Sequence, residues 1–281
     1  MVKRSSLISI FAKHTYFLDD NNSPGKFFLR RITSRIRGEE IAKYLGAKLN
    51  PTEGYEKDVC IYVKAYALHR MKDGDYIDLL DDLYATERIK DKPKIKVIAM
   101  STPHKEYLRR TLKNKITYIP HHHVNFEKFR RNRKKIINCG YVGSGSGYEI
   151  NVNKKLAKLL AEIGLKFTPL YNYSSRKNIV NYYKKIDLQI IGAFNHLNVP
   201  YYHQTKIVNA MSFGIPTIAS RRLGYRDVEG YYIAVNNLDE LLKEAKKMKD
   251  PIEYNKWPKK IIAESEKYHI SEIAKLYKKL K

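Results

Sequence analysis

Short apolar, β-branched runs alternate along this chain with amphipathic stretches of helical spacing, and that alternation predicts a doubly wound parallel α/β sheet. Residues 58–63 (DVCIYV) are continuously apolar after Asp58, as in a strand buried on both faces. Residues 7–12, 76–80, 95–100 and 116–119 repeat that character. Between residues 27 and 45, Phe28, Ile32, Ile36, Ile41 and Leu45 recur at helical intervals, and residues 34–38 (SRIRG) read as a break between two short helices. Tyr107, Leu108 and Leu112 mark another helix. Pro120-His121-His122-His123 ends this unit, and residues 125–135 read as a polar, basic connector. The cycle then restarts. A strand at 136–142 runs into the glycine-rich loop 143–147 and a helix over 152–163; strands follow at 167–170, 188–191 and 232–235, with Ile179, Tyr182 and Tyr183 on a helix between the first two. Ile270, Ile273, Ala274, Tyr277 and Leu280 form a last amphipathic helix. The pattern divides the chain into 1–130, 131–262 and a terminal helical segment 263–281.

The stretch 205–220 (TKIVNAMSFGIPTIAS), followed by Gly224-Tyr225-Arg226-Asp227, carries the most information. It reads as a short helix, a glycine that ends it, a buried strand, and a polar loop at that strand's carboxyl end. Open α/β sheets place ligands there.

A length of 281 residues suits two domains better than one core. Hydrophobic residues at 43% exclude a disordered chain. No run reaches the roughly 18 apolar residues of a membrane span, and the apolar start is interrupted by Lys13 and His14, which argues for a soluble, cytoplasmic protein. Cys60 and Cys139 lie in strand-like runs and read as inert buried thiols. Lys and Arg outnumber Asp and Glu by 54 to 29, a net +25, so the partner is expected to be anionic: nucleic acid, an anionic membrane face or an acidic glycan.

Residues 34–42, 58–61, 76–82, 97–101 and 119–122, taken in order with the 205–220 stretch, resemble the GT-B glycosyltransferases, especially the group-1 (family 4) class. The resemblance covers nearly the whole chain. It implies two Rossmann-like domains facing a central cleft, the first binding the acceptor and the second the nucleotide sugar, with a C-terminal helix crossing back to the first. It implies hexosyl transfer from a nucleotide-diphosphate sugar to a hydroxyl, with no metal or other cofactor. One departure concerns the two glutamates that this class carries around its donor helix. Asn209 and Tyr201 occupy the nearest positions here.

Such a transfer needs the leaving diphosphate's charge stabilised. Gly143, Ser144 and Gly145 offer backbone amides to a phosphate, and Lys206 at a helix start adds a full charge. Arg176 is a second phosphate candidate. Asn209 either replaces the ribose-binding carboxylate or caps and packs, and Gly25 joins the donor set. Asp78, Asp81 and Asp82 at a strand end, and His121, are the candidate bases for an acceptor hydroxyl. Of the three consecutive histidines at most His121 and His123 share a face, and no suitably spaced third ligand is evident, so no metal is expected. Basic clusters in the first domain and the connector, with Arg35, Arg37, Arg130 and Arg131 as acceptor contacts, suit a polyanionic acceptor: modified DNA, or a glycan or lipid-linked acceptor at the membrane periphery. The competing reading is a GT-B-like pair that has lost catalysis and binds nucleic acid.

Overall fold

The computed structural model describes residues 7–13, 32–130, 135–143, 145, 147–171, 173, 175–195 and 197–281. The chain falls into two compact units: residues 1–122, 200–203 and 270–281, and residues 123–199 and 204–269.

In the first unit, β1 (Ile8–Phe11), β2 (Lys48–Leu49), β3 (Val59–Val63), β4 (Tyr76–Asp78), β5 (Lys96–Ala99) and β6 (Ile116–Tyr118) pair in the order β2-β1-β3-β4-β5-β6. Every pair is parallel. The break read at 34–38 is a π-helical turn, Arg35–Glu39, between α1 (Ile32–Ser34) and α2 (Glu40–Leu45). Gly38 lets this turn lie against the end of β1, since a Cβ there would overlap that of Ala12. Helices α3 (Leu83–Ile89) and α4 (Thr102–Thr111) are capped by Asp82 and Ser101. Ala85 and Ile89 of α3 share one core with Leu108 of α4, so both helices cover the same sheet face. The C-terminal helix, Ile270–Lys278, belongs to this unit, burying Ile273, Ala274 and Tyr277 and packing on α2.

In the second unit, β7 (Asn138–Val142), β8 (Lys166–Leu170), β9 (Leu188–Ile191), β10 (Thr217–Ser220) and β11 (Ile233–Val235) pair in the order β11-β10-β9-β7-β8. All are parallel. Helices α5 (Gly147–Glu162), α6 (Arg176–Tyr183), α7 (Thr205–Ser212), α8 (Leu238–Lys247), α9 (Pro251–Asn255) and α10 (Pro258–Ser265) complete it. One core runs from Cys139 and Leu156 through Ile190, Val208 and Ile218 to Leu241 and Ile261. Both cysteines are free and buried, and burial pushes each thiol up to about 12, which leaves neither a nucleophile at neutral pH.

The boundary falls between His122 and His123, before the connector expected at 125–135. Asn125 explains the difference. Its Oδ1 accepts the Phe129 N–H at 2.8 Å and its Nδ2 donates to the Ser212 carbonyl at 2.7 Å, which ties residues 125–129 to α7. The His123 N–H donates to the Tyr268 carbonyl at 2.9 Å. Residues 123–130 are therefore an integral part of the second unit. The terminal segment also divides, residues 263–269 staying with the second unit and only 270–281 joining the first.

Candidate active site

In the second unit the winding reverses between β7 and β9, and a sheet of this order presents its ligand crevice outside the carboxyl ends of those two strands. The start of α7 belongs to this region. No acid lies in its first turn, and Gln204 at the cap position makes no side-chain capping bond. Gln204 Oε1 and Thr205 Oγ1 are buried without a hydrogen-bond partner. A buried polar atom left unpaired costs about 1–3 kcal/mol, so this pair points to a polar ligand. Lys206 adds a cation. Its Nζ lies 3.0 Å from Tyr141 Oη and 3.6 Å from Glu149 Oε1. Burial pushes the ammonium down and Glu149 pulls it back; with 35% of the side chain exposed it remains cationic. Arg222, just beyond β10, is 5% exposed and donates to the Ala193 carbonyl at 2.5 Å and to Ser220 Oγ at 3.2 Å. Its charge is close enough to depress Lys206. The helix start, the unpaired Thr205 hydroxyl, which can donate, and the Lys206 and Arg222 cations together suit an anion, whereas Gln204 Oε1 can only accept.

The first unit gathers titratable groups at the carboxyl end of its own sheet. His121, following β6, is 5% exposed with neither ring nitrogen hydrogen-bonded. Its ring lies 4.8 Å from that of His203. Burial, then the neighbouring His203 and Arg37, hold its imidazole well below the ordinary range, so it stays neutral and resists protonation. Asp81 pairs with Lys64 at 2.6 Å. Burial raises its carboxyl, but the ammonium outweighs that and holds it below the usual value. Next to this group lies a closed ion pair: Arg37 Nε donates to Asp78 Oδ2 at 2.5 Å and Nη1 to the Pro120 carbonyl at 2.8 Å, with both side chains inaccessible. The Arg37 guanidinium also sits 5.5 Å from the Tyr277 ring centre.

Comparison with solved structures places this architecture. WaaG, a glycosyltransferase involved in lipopolysaccharide biosynthesis, aligns at a TM-score of 0.59 with 11% identity over 96% of this chain and 98% of its own. Anabaena HepE, in complex with UDP and glucose, aligns at 0.58 with 11% identity over 97% and 98%. The chain has the GT-B fold. A substituted S. aureus TarM, in complex with fondaparinux, α-GlcNAc-glycerol and UDP, aligns at 0.56 with 14% identity over 82% of this chain. This GT-B chain spans only 52% of that protein's length. No family model matches the sequence, and no curated protein matches it.

Within the GT-B frame the expected site residues separate. Gly25, Ser144 and Arg131 lie outside the described residues. Lys206 sits at the anion subsite, while Gly143 and Gly145 serve packing: a Cβ at Gly143 would strike the Tyr141 phenol, and Gly145 has φ +70° beside Tyr171. Arg176 instead braces residues 124–127. It forks onto Glu127, donates to the Val124 carbonyl at 2.7 Å and stacks 4.3 Å from the Phe126 ring centre. Asn209 packs, its Oδ1 accepting the Val124 N–H at 3.0 Å. Asp78 and Arg37 neutralise each other in the interior, so neither is a free base or a surface contact. Asp82 caps α3, its Oδ1 taking the Ala85 N–H at 2.9 Å and its Oδ2 the Ala65 N–H at 3.0 Å. Arg35 pairs with Glu40 at 3.2 Å. Arg130 belongs to the second unit, bound to the Ser212 carbonyl at 2.8 Å and to Glu266 at 3.1 Å. Asp81 is paired with Lys64, and His121 is buried with neither ring nitrogen hydrogen-bonded. Sequence reading passed over Gln204, Thr205, Arg222, Tyr141, Glu149, His104 and His203; for Arg222 the signal was its place just after a buried strand.

Among the described residues no group of three or more His, Cys, Asp or Glu could hold a metal ion, and no helix is long and apolar enough to cross a membrane.

Proposed function

We propose that this protein transfers a sugar from a nucleoside-diphosphate sugar to a hydroxyl acceptor, the diphosphate lying at the start of α7. The observation that carries the reading is the group at that helix start: the unpaired Thr205 hydroxyl beside the Lys206 and Arg222 cations. As the bond from the anomeric carbon to the diphosphate oxygen breaks, negative charge collects on the leaving group, and these cations and helix N–H groups meet it. The acceptor oxygen bonds to the anomeric carbon and gives up its proton to a general base. Lys206→Ala is expected to weaken UDP binding by about 1.5 to 3 kcal/mol, the range for a charge-assisted hydrogen bond. Calorimetry checks this, and unchanged affinity in a folded variant removes the reading.

We infer further that the acceptor is presented at an anionic membrane surface. The solvent sides of α3 and α4 and the turns after them carry exposed Arg88, Lys90, Arg109, Arg110, Lys113 and Lys115. Leu83 and Tyr84 stand exposed among these charges, at 48% and 61%, which suits a headgroup boundary. Vesicles containing phosphatidylserine should bind, with affinity falling steeply between about 50 and 200 mM salt, and Arg109→Glu with Arg110→Glu should abolish binding without changing UDP affinity. Binding to duplex DNA but not to vesicles would replace the membrane by a nucleic-acid acceptor.

A further inference from the structure

Beyond the subsite at α7, and resting on the donor reading given for it, we propose that Glu149 and Tyr141 form a built-in plug on that subsite, with Glu149 setting how tightly a diphosphate is held. Tyr141, at the end of β7, is 3% exposed, and its phenol lies over Gly143, where an added Cβ would collide with the ring and its oxygen. The backbone at Gly143 is thereby covered by a side chain of the same chain. Two contacts hold the phenol there. Its hydroxyl donates to Glu149 Oε1, in the first turn of α5, and accepts from Lys206 Nζ at 3.0 Å. Lys206 Nζ also lies 3.6 Å from the carboxylate and 5.0 Å from the Tyr141 ring centre. Tyr171 packs on Tyr141 at 6.2 Å between ring centres and is itself fixed by Asn153 Nδ2 at 2.7 Å.

A carboxylate has a positive role here only if the lysine must be restrained. It neutralises the cation that the anion subsite supplies and repels any phosphate entering beside it. A diphosphate that engages Lys206 must therefore draw the ammonium away from Glu149. The consequence is weak holding of both donor and released diphosphate, so that product leaves readily and inorganic anions do not fill the subsite.

The test is calorimetric titration of the full chain with UDP and with inorganic pyrophosphate, comparing wild type, Glu149→Gln, Glu149→Ala and Lys206→Ala, each checked for an unchanged thermal transition. Gln keeps the shape and the acceptor oxygen while removing the charge. Both Glu149 variants are expected to bind each ligand about tenfold more tightly, the effect of deleting one partly screened repulsion. If Glu149→Gln cannot be prepared folded, Glu149→Ala decides alone. Affinity unchanged or weakened at Glu149 while Lys206→Ala still lowers it would overturn the plug and leave the donor site standing. If no variant bound either ligand, the donor site and the plug would fall together.

Discussion

Asp78→Asn is expected to destabilise the first unit by about 3 to 5 kcal/mol, the usual cost of removing one partner of a buried ion pair. The loss is large because Arg37 cannot discard its charge. Its guanidinium is 1% exposed, its Nη1 already serves the Pro120 carbonyl, and its Nη2 has no hydrogen-bond partner. Arg37→Met should cost less, since the Asp78 carboxyl, which burial pushes upward against the pull of Arg37, can take a proton and become neutral. The pair joins the π turn to β4, and Tyr277 of the C-terminal helix packs on it, so the damage reaches three elements at once. Urea unfolding followed by circular dichroism should show the first unit melting early. The single tryptophan, Trp257, lies in the second unit, and its fluorescence should report a transition near the wild-type midpoint. If both probes keep their wild-type midpoints in Asp78→Asn, the ion pair does not hold this unit together.

Acidification from pH 7 to pH 5 is expected to weaken the same unit well before its carboxylates titrate. His104 is 2% exposed, its Nδ1 taking the Met100 N–H at 3.4 Å, and burial pushes its imidazole down to about 4 from an ordinary 6.5. The sign follows from which state binds the proton first. As pH falls through 6.5 the unfolded chain takes up a proton that the folded one refuses, so stability drops with pH until the folded imidazole titrates near 4. A difference of that size corresponds to about 3 kcal/mol in all, most of it lost by pH 5. His121, held low by burial in the same region, adds loss in the same direction. The raised carboxyl of Asp75 works oppositely, stabilising the folded state as pH falls, but only near the carboxylate range. Thermal midpoints measured at half-unit steps check this. His104→Asn, which keeps a hydrogen-bond acceptor but does not titrate, should flatten the profile between pH 6.5 and 5, and an equally steep profile in that variant would exclude His104 as its source.

The elements legible beforehand were those whose burial is complete. Strand β3 shows as an unbroken apolar run because both faces of a central parallel strand are covered, and Ile61 and Tyr62 are inaccessible. The two-residue edge strand β2 left no pattern to read, being too short to express an alternation. Helix α8 did carry one: Asn237 caps it through the Glu240 N–H at 2.9 Å, and Glu240 reaches back to the Asn236 N–H at 2.8 Å.

By itself the sequence determined the winding of two parallel sheets, the short α7 and strand β10 around Gly214, and the presence of a cation at the start of that helix, because each follows from local periodicity or from a residue's own conformational limits. Which polar residues are free to act was decided only by tertiary structure. Asp78, Asp81 and Asp82 stand within five positions and read alike, yet one is locked to Arg37, one caps a helix and one stays paired near the surface with Lys64. Arg176, Asn209 and Arg130 read as ligand contacts but hold residues 124–130 instead. The physical reason is that a charged or amide group takes whatever partner the fold brings within about 3 Å, and that partner is usually far away in sequence.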